Sequence, residues 1–116
     1  MITEKGSLFV GIEHGGKVHK DFVLKPQRVG DSIAVLEGPL AARAAKSDAF
    51  FGMVLLCRQI EKLGDIPQKD ITPELLMNLV EVDFQEINQA REALDKRLRS
   101  FRDKTKKSEE APAGAA

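Results

Sequence analysis

Alternating apolar and polar residues near the start of the chain predict a β-hairpin, in which two β-forming segments flank a Gly-Gly dipeptide at positions 15–16. Two glycines in a two-residue loop tolerate the positive φ angles of a type I′ turn. With this dipeptide at the centre of the loop, Ile12 faces His19. The same register makes Phe9 and Phe22 an aromatic cross-strand pair. A lone hairpin is only marginally stable, so we expect one of its faces to pack on helices.

Later segments combine helical apolar spacing with residues that begin or end helices. They cover about residues 29–37, 47–63, 73–80 and 83–102. Gly38 and Pro39 end the first of these segments, because neither residue favours a continuing helix. Thr72 and Pro73 supply the N-cap and the first helical residue of the third. The alanine-rich segment 40–46 is compatible either with partial helix or with a mobile connection.

The predicted helix at 47–63 is unusually apolar. Ser47 is a favourable N-cap, and Asp48 suits the positive end of the helix dipole. Apolar side chains then point in nearly every direction until Arg58. Gly64 is the predicted C′ residue, because glycine readily adopts the conformation that ends a helix. A helix of this kind is either central to a core or partly covered by a partner.

The last helix begins with Asp83 and Glu86 at capping-box spacing, Asp standing in for the usual Ser or Thr. Its apolar stripe comprises Phe84, Ile87, Leu94, Leu98 and Phe101. Residues 103–116 contain no large apolar side chain, so we expect a disordered tail there. The elements together predict an α+β domain over residues 1–102, with the hairpin at 7–25 followed by a small bundle of three to four helices.

Composition narrows the possible functions. A chain of 116 residues suits one domain, and 18 basic residues balance 18 acidic ones. That balance argues against a general nucleic-acid binder, which needs excess positive charge. Residues 96–107 are locally basic, which leaves open a small nucleic-acid-binding or regulatory protein. The single cysteine allows no internal disulfide, and neither a signal peptide nor an apolar run of about 20 residues is visible. We therefore expect a cytoplasmic protein without a membrane segment.

The candidate chemical residues lack the spacing that chemistry requires. His14, His19 and Cys57 do not follow any common metal-ligand pattern. Gly-Gly-Lys at 15–17 lacks the remaining residues of a phosphate-binding loop and precedes a strand. Glu81 and Asp83 are better explained as residues at a helix start than as an acid–base pair. We therefore predict no catalytic, metal or cofactor-binding residue, and a protein that binds other proteins and is not an enzyme.

Two blocks of sequence resemble phage tail assembly chaperones of the Mu and P2 type. The first block is DFVLKP at 21–26 followed by VGD at 29–31, which resembles the family's strand and helix start. The second is QIEKLGDIP at 59–67 followed by ITPELL at 71–76. Asp83 at the start of the last helix also fits. The resemblance extends over residues 8–101.

The resemblance implies a protein made in the host cytoplasm during phage or prophage expression. Members of such a family hold the long, helical tape measure protein in solution until the tail tube polymerises around it, and they are absent from the mature virion. Many of their genes also encode a longer, frameshifted product. We hypothesise that a groove receives the partner helix. Its candidate partner-binding residues are Phe50, Phe51, Met53, Val54, Phe84, Leu94 and Phe101. Self-association as a structural tail component remains an alternative.

Overall fold

The computed structural model describes residues 2–113, with side chains described for residues 2–102. The strands are β1 (Glu4–His14), β2 (Lys17–Leu24) and β3 (Ile60–Leu63). The helices are α1 (Val29–Glu37), α2 (Ala41–Lys46), α3 (Asp48–Gln59), α4 (Pro73–Leu76) and α5 (Glu81–Ala113), with one 3₁₀ turn at Gln68–Asp70. The strands form an antiparallel sheet in the order β1-β2-β3. The predicted α+β class is confirmed.

The third strand corrects the predicted helix at 47–63, which ends at Gln59. Ile60 and Leu63 are fully buried as part of β3, which pairs antiparallel with β2. At one end of β3, the Lys25 N–H donates to the Gln59 carbonyl at 2.9 Å. Pairing with the open edge of the hairpin therefore outweighs the local helix propensity of these residues. This pairing is between residues distant in sequence, so local periodicity did not reveal it.

The hairpin has the predicted register only near its turn. Ile12 pairs with His19 as expected, but Phe22 pairs with Gly6, so the predicted Phe9–Phe22 pair is wrong. The register shifts between Ser7 and Ile12, which marks a bulge in β1. The ring of Phe22 lies over Gly6, where an added Cβ would come within 2.3 Å of the ring. Only glycine leaves room for the ring in this position.

Some of the observed helix ends agree with those predicted from the sequence, and others differ. The helix predicted at about 29–37 corresponds to α1, and 41–46 is helical. The predicted helix at 73–80 ends at Leu76, because turns at 77–80 redirect the chain into α5. The predicted helix at 83–102 begins at Glu81 and its backbone continues to Ala113. Lys, Glu and Ala are common beyond 102 and favour helix.

The predicted disordered tail at 103–116 lies entirely outside the described side chains, and residues 114–116 lie outside the described backbone as well. That expectation stays a prediction for residues 114–116, while the backbone of 103–113 is helical.

The buried side chains form two clusters. The larger lies between the inner face of the sheet, the C-terminal half of α3 and the inner face of α5, with Phe22, Leu56 and Ile87 near its centre. The smaller joins α1, α2 and α3 through Val35, Ala44, Phe50 and Leu55. The helical part of the fold therefore has a core of its own beside the sheet. No helix within residues 2–113 is long and apolar enough to cross a membrane.

Candidate partner-binding surface

The predicted partner-binding residues on α3 divide between the two cores. Phe50 is buried in the smaller cluster, where Phe51 and Val54 are half-buried. The Arg43 guanidinium lies over the Phe50 ring at 3.9 Å from its centroid, a cation–π contact that covers the ring. Met53 instead packs against the larger cluster. The apolar character of α3 is explained mainly by its position between two cores.

The predicted residues on α5 lie along the larger cluster. Leu94 is buried and Phe84 is half-buried, so their main contacts are internal. Phe101 is 47% exposed near the end of the described side chains. The structure thus does not bring the seven predicted residues together in one groove. Their role in binding a partner stays a prediction. Phe50 and Leu94 have the least accessible surface of the seven.

A groove of about 550 Å³ lies between α1, α3 and the residues that lead into α4. Of the seven predicted residues, Val54 lines it. Its apolar lining also includes Ala34, Val35, Leu40, Ile71 and Pro73. The sequence did not predict this groove, because its walls come from three separate segments.

An ion pair borders this groove. The Arg58 Nε donates to Asp31 Oδ1 at 2.9 Å, and the Arg28 backbone N–H donates to Asp31 Oδ2 at 2.8 Å. The bond from the Arg28 N–H and the nearby Arg58 guanidinium hold the pKa of Asp31 below its ordinary value, despite the opposing effect of desolvation. Asp31 therefore stays ionised at neutral pH and ties α1 to α3.

Several large apolar side chains are exposed outside the groove. On α1 these are Val29, Ile33 and Leu36. On the hairpin they are Phe9, Val10 and Val18. Met77 and Val80 are exposed between α4 and α5, and Val82 is exposed in the first turn of α5. Single exposed apolar residues are normal on protein surfaces, whereas groups of them indicate contact with a partner.

The buried carboxylate of Asp83 fixes the bulge of β1. Its oxygens accept hydrogen bonds from the backbone N–H groups of Phe9 at 2.7 Å, Val10 at 3.1 Å and Gly11 at 2.8 Å. Three successive N–H groups on one anion resemble the concave anion sites called nests. Gly11 has a φ of +91°, a conformation that glycine adopts without strain.

This arrangement corrects the predicted role of Asp83. The prediction made it the N-cap of the last helix, but that helix begins at Glu81 and the carboxylate binds β1. Burial raises the pKa of Asp83, but the three N–H donors and attraction to Lys20 outweigh that effect, so the pKa lies below its ordinary value. Gly11 within a strand was the available sequence sign, because such glycines often mark bulges.

The two histidines hold the hairpin turn against neighbouring segments. His14 Nε2 lies 3.2 Å from Asp70 Oδ2. His19 is buried, and its Nδ1 accepts the Asp65 backbone N–H at 3.1 Å. That bond makes the other ring nitrogen, Nε2, the donor to the His14 carbonyl at 3.0 Å. Both histidines have structural contacts, in agreement with their interpretation as turn and strand residues.

Comparison with known proteins identifies the family. The model of the family described as Tail assembly protein gp41, from phage Mu, matches residues 8–108. The chain belongs to this family of tail assembly proteins. No curated protein and no solved structure matches it. The resemblance inferred from the two sequence blocks is therefore confirmed, over nearly the same span of the chain.

The single thiol of this tail assembly protein is poorly suited to nucleophilic chemistry. Burial, with a contribution from the negative charge of Glu74, raises the pKa of Cys57 to about 12. The thiolate, which is the reactive form, is therefore scarce at neutral pH. Among the described residues, no group of three or more His, Cys, Asp or Glu side chains is placed to hold a metal ion. The groove and the exposed apolar side chains are the features that suit binding.

Proposed function

We propose that this tail assembly protein is a chaperone that binds the tape measure protein and keeps it soluble until the tail tube polymerises. The observation that carries the proposal is the match to a tail assembly family over residues 8–108. The proposed action is binding without catalysis. The apolar groove between α1, α3 and α4 and the exposed apolar side chains support it, because an amphipathic helix is recognised through such surfaces.

Reversible binding suits this role. Full burial of one aliphatic or aromatic side chain contributes about 1.5–3 kcal/mol, and ordering the partner offsets part of that gain. A few such contacts give an association that protects apolar surface and still permits release when tube subunits arrive. We further propose that the chaperone acts in the host cytoplasm and is absent from the finished virion.

Co-expression tests the proposal. The tape measure protein from the same phage or prophage is produced with and without this chain, which carries an affinity tag. We expect the tape measure protein to be soluble and to co-purify only in the presence of the chain. A tape measure protein that is equally soluble alone, or that does not co-purify, would rule out the chaperone role. Mass spectrometry of purified particles then tests whether the chain is absent from the virion.

Charge pairing weighs against the nucleic-acid alternative. Arg97 binds the Glu4 carboxylate at 2.6 Å, and Arg99 binds that of Asp95 at 2.7 Å. These two cations of the basic region are therefore partly neutralised within the protein. Any binding to a nucleic acid would weaken steeply as salt is raised, whereas helix binding through apolar contacts would not.

A further inference from the structure

Helix α1 presents an apolar stripe to the solvent. Val29 is 83% exposed, Ile33 50% and Leu36 52%. The spacing i, i+4 and i+7 places these three side chains on one face of the helix. A surface helix ordinarily places polar side chains outward, so α1 has an apolar face that nothing in the described structure covers.

The orientation of α1 is fixed by contacts on its opposite side. Asp31 faces the body of the protein, where it binds Arg58, and Val35 is buried in the smaller core one turn later. Rotation of the helix to hide the stripe would break that ion pair and expose Val35. The apolar stripe is therefore a stable property of the surface.

The size of the stripe limits what can bind to it. Side chains of this size contribute about 100 Å² each when fully buried, which makes about 300 Å² an upper limit for the stripe. A stable protein–protein interface requires about 800 Å² from each partner. The stripe alone is thus too small to hold a second copy of this chain. A weaker, reversible contact with one helix needs less area, and two helices that pack side by side each contribute anchors at i, i+3 or i+4, and i+7.

From this size and spacing we propose that the outer face of α1, formed by Val29, Ile33 and Leu36, docks an amphipathic helix of the tape measure protein. The inference rests on the proposed chaperone function and adds the surface that performs it. Arg28 and Glu37 are exposed at opposite ends of α1 and lie about 14 Å apart along its axis. They favour a partner helix that is acidic near Arg28 and basic near Glu37.

The test compares tagged wild-type protein with Ile33→Asp and Leu36→Asp in co-expression with the tape measure protein. Gln89→Asp is the matched control, because it adds the same charge at an exposed position of another helix, α5, and Gln89 belongs to none of the apolar groups named above. We expect each α1 variant to retain at least tenfold less tape measure protein, and the control to retain it at the wild-type level. Circular dichroism and thermal melting establish that each variant is folded.

The outcomes separate the inference from the proposed function. If wild type and both α1 variants retain the partner equally, the docking surface is wrong although the chaperone function holds. If wild type itself retains no partner, the function fails and the inference fails with it. If sedimentation shows a wild-type dimer that Ile33→Asp converts to a monomer, the occupant is a second copy, which overturns the helix-docking proposal. A misfolded Ile33→Asp is replaced by Ile33→Ser, with the same expected loss of at least tenfold.

Discussion

Asp83 shows how much one buried side chain contributes to the stability of the fold when it joins two elements that are distant in sequence. It belongs to the first turn of α5, yet its carboxylate accepts three hydrogen bonds from a strand more than 70 residues earlier in the chain. Loss of the carboxylate would leave buried N–H groups without acceptors. Such groups carry a substantial desolvation penalty. Substitution of Asp83 is therefore expected to lower the free energy of unfolding by more than the loss of a surface ion pair does.

Asp83→Asn is expected to lower the free energy of unfolding by about 2–4 kcal/mol, because an amide offers a single oxygen and no charge to the three N–H groups. Urea denaturation measures the change. Asp95→Asn is the control, since Asp95 is exposed and pairs with Arg99 on the same helix. Its effect should stay within about 0.5 kcal/mol. Equal effects of the two substitutions would contradict the role assigned to Asp83.

Stability is expected to fall as the solution becomes acidic. The pKa values of Asp83 and Asp31 lie below their ordinary value in the folded protein, so the unfolded chain binds protons first. Their contribution is therefore complete above about pH 5 and is lost as the pH falls through and below about 4. Urea denaturation at several pH values from about 3 to about 7, which span the usual titration range of carboxyl groups, measures the slope of the free energy of unfolding against pH. Asp83→Asn should flatten it, and an unchanged slope would show that Asp83 titrates normally.

At the scale of elements, the sequence predicted those units whose ends have local causes. The end of helix α1 at Glu37 was predicted, because Gly38 and Pro39 end it irrespective of the rest of the fold. Strand β3 was missed, because Ile60 to Leu63 becomes a strand only by pairing with β2. The bulge was missed for a related reason, since the Asp83 carboxylate that fixes it lies far away in the sequence. Pairings of distant residues leave no periodic pattern in a single sequence.

The bulge also predicts that alanine substitution costs more stability at Gly11 than at Gly15, although both glycines have positive φ. A Cβ at Gly11 would lie 2.6 Å from Val18 Cγ1 and 2.9 Å from the His19 carbonyl oxygen, whereas a Cβ at Gly15 would meet nothing within 4 Å. Gly15→Ala should therefore cost about 1 kcal/mol from backbone strain alone, and Gly11→Ala about 2–3 kcal/mol. Thermal or urea denaturation measures both. A larger cost at Gly15 would refute the steric argument.

At the scale of the whole molecule, the candidate site was less predictable than the fold. The seven predicted residues were apolar, and the sequence could not distinguish side chains that face one of two cores from those that face a partner. Exposure of Ile33 and Leu36 depends on how Asp31 orients α1 against α3. The family, by contrast, was recognised from two blocks of sequence, and the family match over residues 8–108 includes both blocks.

The thiol of Cys57, which lies in the wall of the groove between α1, α3 and α4, offers a measure of how well the folded chain protects it. Cys57 is buried, and its pKa is raised to about 12, so a thiol reagent at pH 7–8 should react with the folded protein far more slowly than with the unfolded chain. We expect labelling by a chromogenic disulfide reagent to be at least a hundredfold slower than in denaturant, an order-of-magnitude figure. Asp83→Asn should accelerate it. Rapid labelling of wild type in buffer would contradict the burial of Cys57.

The hydrogen bonds of Asp83 also bear on aggregation. Strand β1 lies at an edge of the sheet, and free N–H groups on such an edge can template the addition of a strand from another molecule. The carboxylate binds the N–H groups of three successive residues at the bulge, and the bulge interrupts the regular course of this edge strand. Fewer regular edge positions for strand addition would suit the proposed role as a chaperone of an aggregation-prone protein. The chaperone's apolar side chains can remain available while its backbone is protected from β-sheet polymerisation.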